Sequence, residues 1–108
     1  IVDELAAADP AFRAEVRLGL ERAPMETPAG AAISAALQAA ATAVLGQPRA
    51  PSGVSFWTDA ASLHAAGIPT ALFGPAGEGA HAVEEWVDLA SVRACAAIYL
   101  AVARAFCQ

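Results

Sequence analysis

The sequence predicts an α/β domain with parallel strands, preceded by a short segment of α+β character. From residue 28 onward, three segments with helical period are separated by two short apolar runs bounded by glycine and proline, as buried strands are. The resulting order, helix, strand, helix, strand, helix, is typical of a parallel sheet covered by helices. Residues 12–20 instead alternate apolar and polar side chains, which is the pattern of an antiparallel strand with one face in water.

The first 27 residues predict one helix and one strand. The helix covers residues 1–9 and is expected to end at Asp9-Pro10, because the residue before a proline disfavours helical backbone. The chain opens on Ile1 already in helical pattern, which we interpret as a start within a longer protein. The charges of the following strand, on Arg13, Glu15 and Arg17, are interpreted as a solvated face.

A linker with two prolines, residues 22–28, separates this part from a long helix, and we place a domain boundary between residues 27 and 28. Thr27 followed by Pro28 predicts the helix start, and Gly46 predicts its end. The apolar positions of the helix fall on one face: Ile33, Ala36, Leu37, Ala40, Ala41 and Val44.

Two further strand and helix pairs complete the chain. A strand over residues 54–57 leads into Thr58-Asp59, either of which can cap a helix over about residues 60–66. A second strand covers residues 68–73, and Asp88 caps a last helix over about residues 89–106. The apolar stripe predicted for that helix is Leu89, Val92, Ala96, Tyr99, Val102 and Phe106.

The loop after the second strand is the segment that the sequence indicates for chemistry. Gly74, Gly77 and Gly79 allow a sharp turn and a close backbone approach to a ligand. His81 follows them, where an imidazole can reach a metal or a substrate at the carboxyl end of a strand. On spacing alone, a single histidine after a glycine loop is more often a surface or hydrogen-bonded residue than a ligand. The other histidine, His64, lies inside the short helix and is interpreted as a surface or packing residue.

Composition limits the classes of partner. The 108 residues suffice for one small domain or for parts of two, and a hydrophobic fraction of 57% predicts a folded chain. A net charge of −5 argues against nucleic acid and anionic membrane surfaces as partners, and no apolar run approaches the ~18 residues that cross a bilayer. Cys95 and Cys107 lack CxxC spacing and are interpreted as buried small hydrophobic residues, which suits a cytoplasmic protein.

Five short blocks follow one another in the second half of the chain: Trp57-Thr58-Asp59-Ala60-Ala61, Ala66-Gly67-Ile68-Pro69, Phe73-Gly74-Pro75, Ala80-His81 and Glu85-Trp86-Val87. In these blocks the chain resembles the two-zinc amidohydrolase and metallopeptidase family of acetylornithine deacetylase, succinyl-diaminopimelate desuccinylase, aminoacylase and glutamate carboxypeptidase. The resemblance implies that residues 28–108 are the carboxyl-terminal part of a zinc-peptidase-like catalytic domain. Residues 1–27 would then be the last helix and strand of a ferredoxin-like lid domain that forms a homodimer.

The resemblance also implies roles for individual residues. His81 would be a zinc ligand, and Glu85 would brace its loop or orient it, whereas Glu84 is interpreted as a solvated acid. Four residues would line the substrate pocket: Thr58, Asp59, Gly77 and Gly79. The other metal ligands and the glutamate base of the family are expected before residue 1, so no catalytic residue is expected in this chain.

The function implied is hydrolysis of the amide bond of an N-acyl amino acid or short peptide by metal-activated water. Each complete active site would hold two zinc ions, with cobalt or manganese as alternatives. The competing hypothesis is a self-contained, non-catalytic α/β module for binding or scaffolding. The unpaired strand over residues 12–20 counts against that hypothesis, because a lone strand is not independently stable.

Overall fold

The computed structural model of the chain describes residues 1–28 and 30–107. The described residues form helices and one small sheet, in the order α1 (Val2–Ala8), α2 (Ala32–Leu45), α3 (Ala60–Ala65), β1 (Gly77–Glu78), β2 (Trp86–Val87) and α4 (Leu89–Phe106). The sheet is antiparallel. Helix is therefore the main regular structure of the described residues, and more than half of these residues lie in irregular segments.

The pairing of α2 with α4 forms the core. Ile98 of α4 is completely buried, and Cys95 on the same helix and Ala41 on α2 are also buried. Helix α2 contacts α4, and the burial of Ile98 stabilises the folded chain by roughly 1.5–3 kcal/mol.

The end and the buried face of α2 confirm the sequence prediction. Gly46 ends the helix with φ +72°, and its N–H donates to the carbonyl of Thr42. Ala41 is buried, and Ile33 and Leu37 on the same face are half-buried. The period of this alanine-rich segment therefore predicted its buried side correctly except at Val44, which is 40% exposed.

The predicted start of α2 is wrong, because the helix begins at Ala32 rather than at residue 28. The hydroxyl of Thr27 does not cap the helix; it donates to the carbonyl of Thr70 over 2.8 Å. The side chain that the sequence pattern assigned to a helix cap therefore forms a tertiary hydrogen bond instead.

Helix α4 begins where predicted, since the carboxylate of Asp88 accepts a hydrogen bond from the N–H of Ala90 over 2.9 Å. The predicted apolar stripe is wrong in part. Leu89, Val92 and Tyr99 are exposed, and the deepest positions are Cys95 and Ile98. Almost every position of α4 is apolar, so the hydrophobic period does not define one face, and contact with α2 decides which residues are buried.

Two expectations about α4 and its end need correction. The helix is long and apolar enough, with a mean hydropathy of 1.5 over 18 residues, to cross a membrane by length and composition. The expectation that no apolar run approaches this length is therefore wrong. Core helices of soluble proteins, which are mostly buried, pass the same test; α4 packs on α2, and 11% of it is buried in the described structure. Cys107, expected to be buried, is exposed just beyond the end of the helix.

None of the three predicted strands, residues 12–20, 54–57 and 68–73, belongs to a sheet in the described part of the chain. Val16, Leu18 and Leu20 are 65%, 97% and 80% exposed. Alternation predicts which side of a strand is apolar, but a strand also needs a neighbour for its backbone groups, and the described chain supplies none here. The predicted parallel sheet is thus absent from these residues, and the division into lid and catalytic parts stays a prediction.

The charged side of residues 12–20 is solvated, as predicted. The guanidinium of Arg17 pairs with the carboxylate of Glu15 over 2.8 Å, and both side chains are exposed. This hydrogen-bonded pair lowers the pKa of Glu15 and raises the pKa of Arg17. The contact links residues of the same segment and does not attach it to the core.

Candidate functional site

The predicted glycine loop folds into a hairpin. Strand β1 pairs with β2 so that Gly77 lies opposite Val87 and Glu78 opposite Trp86. The N–H of Ala82 donates to the carbonyl of Gly79 over 2.7 Å, which closes a turn at the tip. His81 lies in this turn, between the two strands.

The glycines of the hairpin are required by its own backbone. A Cβ atom at Gly77 would collide with the carbonyl oxygen of Trp86, and one at Gly79 would collide with the carbonyl oxygen of Glu84. Gly79 also has φ +77°, in the left-handed region. Close packing of the two strands therefore explains both glycines, and their assignment to the substrate pocket stays a prediction.

His81 has a left-handed backbone, with φ +65°, and is alone in this among the non-glycine residues that the structure describes. Such a conformation costs about 1–2 kcal/mol for a residue with a Cβ, so the surrounding turn must hold it. The residue is exposed to solvent. Strained residues of this kind are concentrated at functional sites, which supports a role for this histidine.

The base of the hairpin is attached to α4. The N–H of Ala76, just before β1, donates to the hydroxyl oxygen of Ser91 over 2.9 Å, and that hydroxyl donates to the carbonyl of Asp88 over 2.7 Å. The N–H of Asp88, just after β2, donates to the carbonyl of Ala76 over 2.9 Å. The two ends of the hairpin are thus joined to each other and to the first turn of α4.

A second attachment lies further along α4. The hydroxyl of Tyr99 donates to the carbonyl of Phe73 over 2.6 Å. The two rings also meet edge to face, with centroids 5.9 Å apart and planes at 86°. This contact fixes the residue that precedes Gly74 and the hairpin.

The residues that the structure describes do not form a metal site by themselves. They include no group of three or more His, Cys, Asp or Glu side chains placed to hold a metal ion. A zinc site takes three or four protein ligands, so His81 can supply one ligand of a set completed by other residues. Glu85 is exposed and makes no hydrogen bond to His81 within the described structure, so its predicted role of orienting the histidine has no contact to support it.

Thr58 and Asp59 lie at the start of α3, as predicted, but their side chains do not cap it. The carbonyl of Thr58 accepts from the N–H of Ala61 and that of Asp59 accepts from Ser62, whereas no side-chain capping hydrogen bond is present at Asp59. The cap interpretation is therefore wrong for the side chains. Thr58 is half-buried, and Asp59 is exposed.

An open cleft of about 1080 Å³ lies beside Thr58, bounded by the linker, α2, the loop that leads to α3, and residues 71–74. Aromatic and charged side chains line it, among them Phe56, Trp57, Phe73, Arg22, Arg49 and Glu26. The guanidinium of Arg22 lies 5.8 Å from the centre of the Trp57 ring, a cation–π contact.

The cleft unites some of the predicted site residues and leaves out others. Thr58 and Gly74 line it, whereas Asp59, Gly77, Gly79, His81 and Glu85 do not. Sequence reasoning missed Arg22 and Arg49, because single arginines in a linker and a loop carry no spacing signal.

Comparison with known proteins adds one finding. The model of the family described as Peptidase family M20/M25/M40 matches residues 5–105. This match covers α2, α3 and both strands completely, and α1 and α4 in part. No curated protein and no solved structure matches the chain.

Proposed function

Because the chain belongs to peptidase family M20/M25/M40, we propose that it forms part of a metal-dependent hydrolase that cleaves the amide bond of an N-acyl amino acid or short peptide. The observation that carries the proposal is the family match over residues 5–105. Membership in a peptidase family supports the hydrolase class. The substrate class rests on the residue blocks around Thr58 and His81 and is our own inference.

His81 is the residue that we assign to the metal. It is exposed, and the turn holds it in one uncommon backbone conformation. The hairpin that carries it is attached to the longest helix of the described chain. A neutral imidazole suits zinc, and cobalt and manganese are alternatives. The described residues hold no group of three donors, so the proposed metal site needs ligands from further residues.

The cleft beside Thr58 is the place that we assign to the substrate. Two arginines and one glutamate are among its lining residues, and aromatic rings form part of its wall. The substrate proposed here carries a free carboxylate, and a guanidinium is suited to bind that group. Arg49→Ala is expected to raise KM with a smaller effect on kcat, because uniform binding is lost.

Metal content and amide hydrolysis of the complete enzyme test the assignment of His81. His81→Ala should lose one metal ion per active site and nearly all turnover. His64→Ala is the matched control, since it removes an imidazole from α3 and should leave both quantities unchanged. Full activity and full metal content in the His81 variant would refute the assignment.

A non-catalytic binding or scaffold module is the second candidate, and the lack of a three-ligand group among the described residues is compatible with both candidates. Amide hydrolysis by the complete enzyme separates the two candidates, and calorimetry with zinc tests whether this chain holds a metal site by itself. The hydrolase proposal expects no binding beyond that of a single exposed imidazole. Tight binding that depends on His81 would show that the chain completes a site by self-association.

We also propose that the protein forms a homodimer through residues 12–20. The support is the exposed row formed by Val16, Leu18 and Leu20, an unpaired apolar surface of the kind that neighbouring strands cover. Sedimentation of the chain should show dimers whose fraction increases with concentration. A compact monomer at all concentrations would contradict this proposal.

A further inference from the structure

We infer that Ser91 and Tyr99 position His81 by fixing the hairpin to α4. The inference concerns two hydroxyl groups that sequence reasoning did not assign to the site. It rests on the proposed role of His81, because a metal ligand must be held in a defined position. The geometry itself comes from hydrogen bonds that do not involve the histidine.

Ser91 fixes the base of the hairpin. Its hydroxyl accepts from the N–H of Ala76 and donates to the carbonyl of Asp88, and so it uses both of its hydrogen-bonding functions in one place. Ala76 and Asp88 flank the two strands and are themselves hydrogen-bonded. Removal of the hydroxyl leaves the N–H of Ala76 without its acceptor and releases one of the two links at the base.

Tyr99 fixes the segment that enters the hairpin. Its hydroxyl holds the carbonyl of Phe73, and its ring supports the Phe73 ring. Ser91 and Tyr99 are eight residues apart on one helix, about 12 Å at 1.5 Å per residue. Only Gly74 and Pro75 lie between the two attachment points, so the path between them is short, and the ring of Pro75 fixes φ at one of the two positions.

The hairpin depends on these attachments because it is very short. Each strand has two residues, and an isolated hairpin of two strands is marginally stable in water. His81 lies five residues after Ala76 and makes no hydrogen bond of its own to α4. The direction in which the turn presents the imidazole is therefore set by the base of the hairpin.

Amide hydrogen exchange and NMR of this chain test the inference. In Ser91→Ala, the amides of Ala82 and Asp88 and those of both strands should exchange about three to ten times faster, the loss expected for one hydrogen bond. The resonances of His81 should shift at the same time. Tyr99→Phe keeps the ring contact and removes the hydroxyl, and it should change the same amides and the same histidine.

Two controls separate positioning from general stability. Ser91→Thr restores a hydroxyl and should restore slow exchange. Thr42→Ala removes a hydroxyl that donates to Gln38 within α2, and the hairpin should not respond. Unchanged His81 resonances in both Ser91→Ala and Tyr99→Phe would overturn the inference, as would an equal acceleration in α2, which would mark both residues as supports of the whole fold.

The outcome is independent of the proposed metal role. Hydrogen exchange reports on the hairpin without any metal, whereas the His81→Ala metal content described above tests the ligand assignment. Suppose that the hairpin loosens in Ser91→Ala while the metal content of His81→Ala is normal. The attachment to α4 would then be supported, and the proposed metal-binding role of His81 would be refuted.

Discussion

Replacement of Gly79 by alanine should open the hairpin and leave the helical core intact. Two separate costs coincide at this position. The backbone has φ +77°, and an added Cβ would collide with the carbonyl oxygen of Glu84 on the opposite side of the hairpin. The obstacle is backbone rather than a flexible side chain, so the two strands must move apart for the substituent to fit.

The magnitude follows from these two costs. A left-handed backbone costs roughly 1–2 kcal/mol for a residue with a Cβ. A loss of one or two kcal/mol changes a local equilibrium by a factor of about 5–30, before the collision is included. Since each strand has two residues, the hairpin has little stability of its own to offset this loss.

The chain offers three matched glycines that separate the two costs. Gly46 shares the left-handed backbone, with φ +72°, but has open space for a Cβ. Gly77 has the collision, with Trp86, without a left-handed backbone, and Gly74 has neither feature. Gly46→Ala should lower the global free energy of unfolding by about 1 kcal/mol and leave the hairpin protected. Gly74→Ala should change neither quantity.

Hydrogen exchange resolved by residue, combined with urea unfolding, measures both effects. Gly79→Ala should abolish protection of the amides in β1 and β2, Gly77→Ala should weaken it, and the amides of α2 and α4 should be unaffected in both variants. Undiminished protection of the hairpin in Gly79→Ala would refute the reasoning that close backbone approach selects glycine there.

Two further predictions concern α4. Ile98→Ala should lower the free energy of unfolding by about 2–4 kcal/mol in urea, because the side chain is completely buried, whereas Leu100→Ala, at a side chain 53% exposed, should cost less than half as much. Asp88→Ala should cost about 1 kcal/mol through the lost cap, and Asp59→Ala, which removes no capping hydrogen bond, should stay within about 0.5 kcal/mol of the parent. Equal losses for the two aspartates would contradict the role of the Asp88 carboxylate.

The helices could be predicted from the sequence because their signals are local. Asp9-Pro10, Gly46 and Asp88 each mark an end or a start by backbone or side-chain chemistry within a few residues, and the structure has helix boundaries at all three. The start of α2 was predicted wrongly because the interaction there is not local: the hydroxyl of Thr27 is hydrogen-bonded to Thr70, 43 positions away along the chain. A single sequence carries no signal for a competing partner at such a distance.

The strands could not be predicted in the same way. A strand is stable only with a neighbour, and neither alternation over residues 12–20 nor the apolar run over residues 68–73 specifies one. Residues 68–73 are held instead by side-chain hydroxyls, from Thr27 and Tyr99. The hairpin was not predicted because its strands, with two residues each, are too short to show any hydrophobic period.

Some residues of the candidate site could likewise be predicted from the sequence, and others could not. His81 and the glycines before it could be singled out because an unusual cluster of glycines precedes a metal-binding residue type. Ser91 and Tyr99 could not, since each is an ordinary residue of an apolar helix until the structure places its hydroxyl beside a backbone group of the loop. The arginines Arg22 and Arg49 line the same open cleft as Thr58, and no motif in the sequence connects the three residues.

These contacts imply that local stability decreases from the α2–α4 core to the hairpin that carries His81. The imidazole is carried by the least stable kind of element, a hairpin with two residues per strand, and that hairpin is attached to α4, which packs on α2. Ile98→Ala weakens the last contact in this series, so the hairpin should lose protection only through unfolding of the whole core. Ser91→Ala weakens the attachment itself, so the hairpin should open while the core stays protected. A chain in which both variants changed exchange in the same pattern would have no separate hairpin attachment, and the placement of His81 would then be a property of the whole fold rather than of two hydroxyl groups.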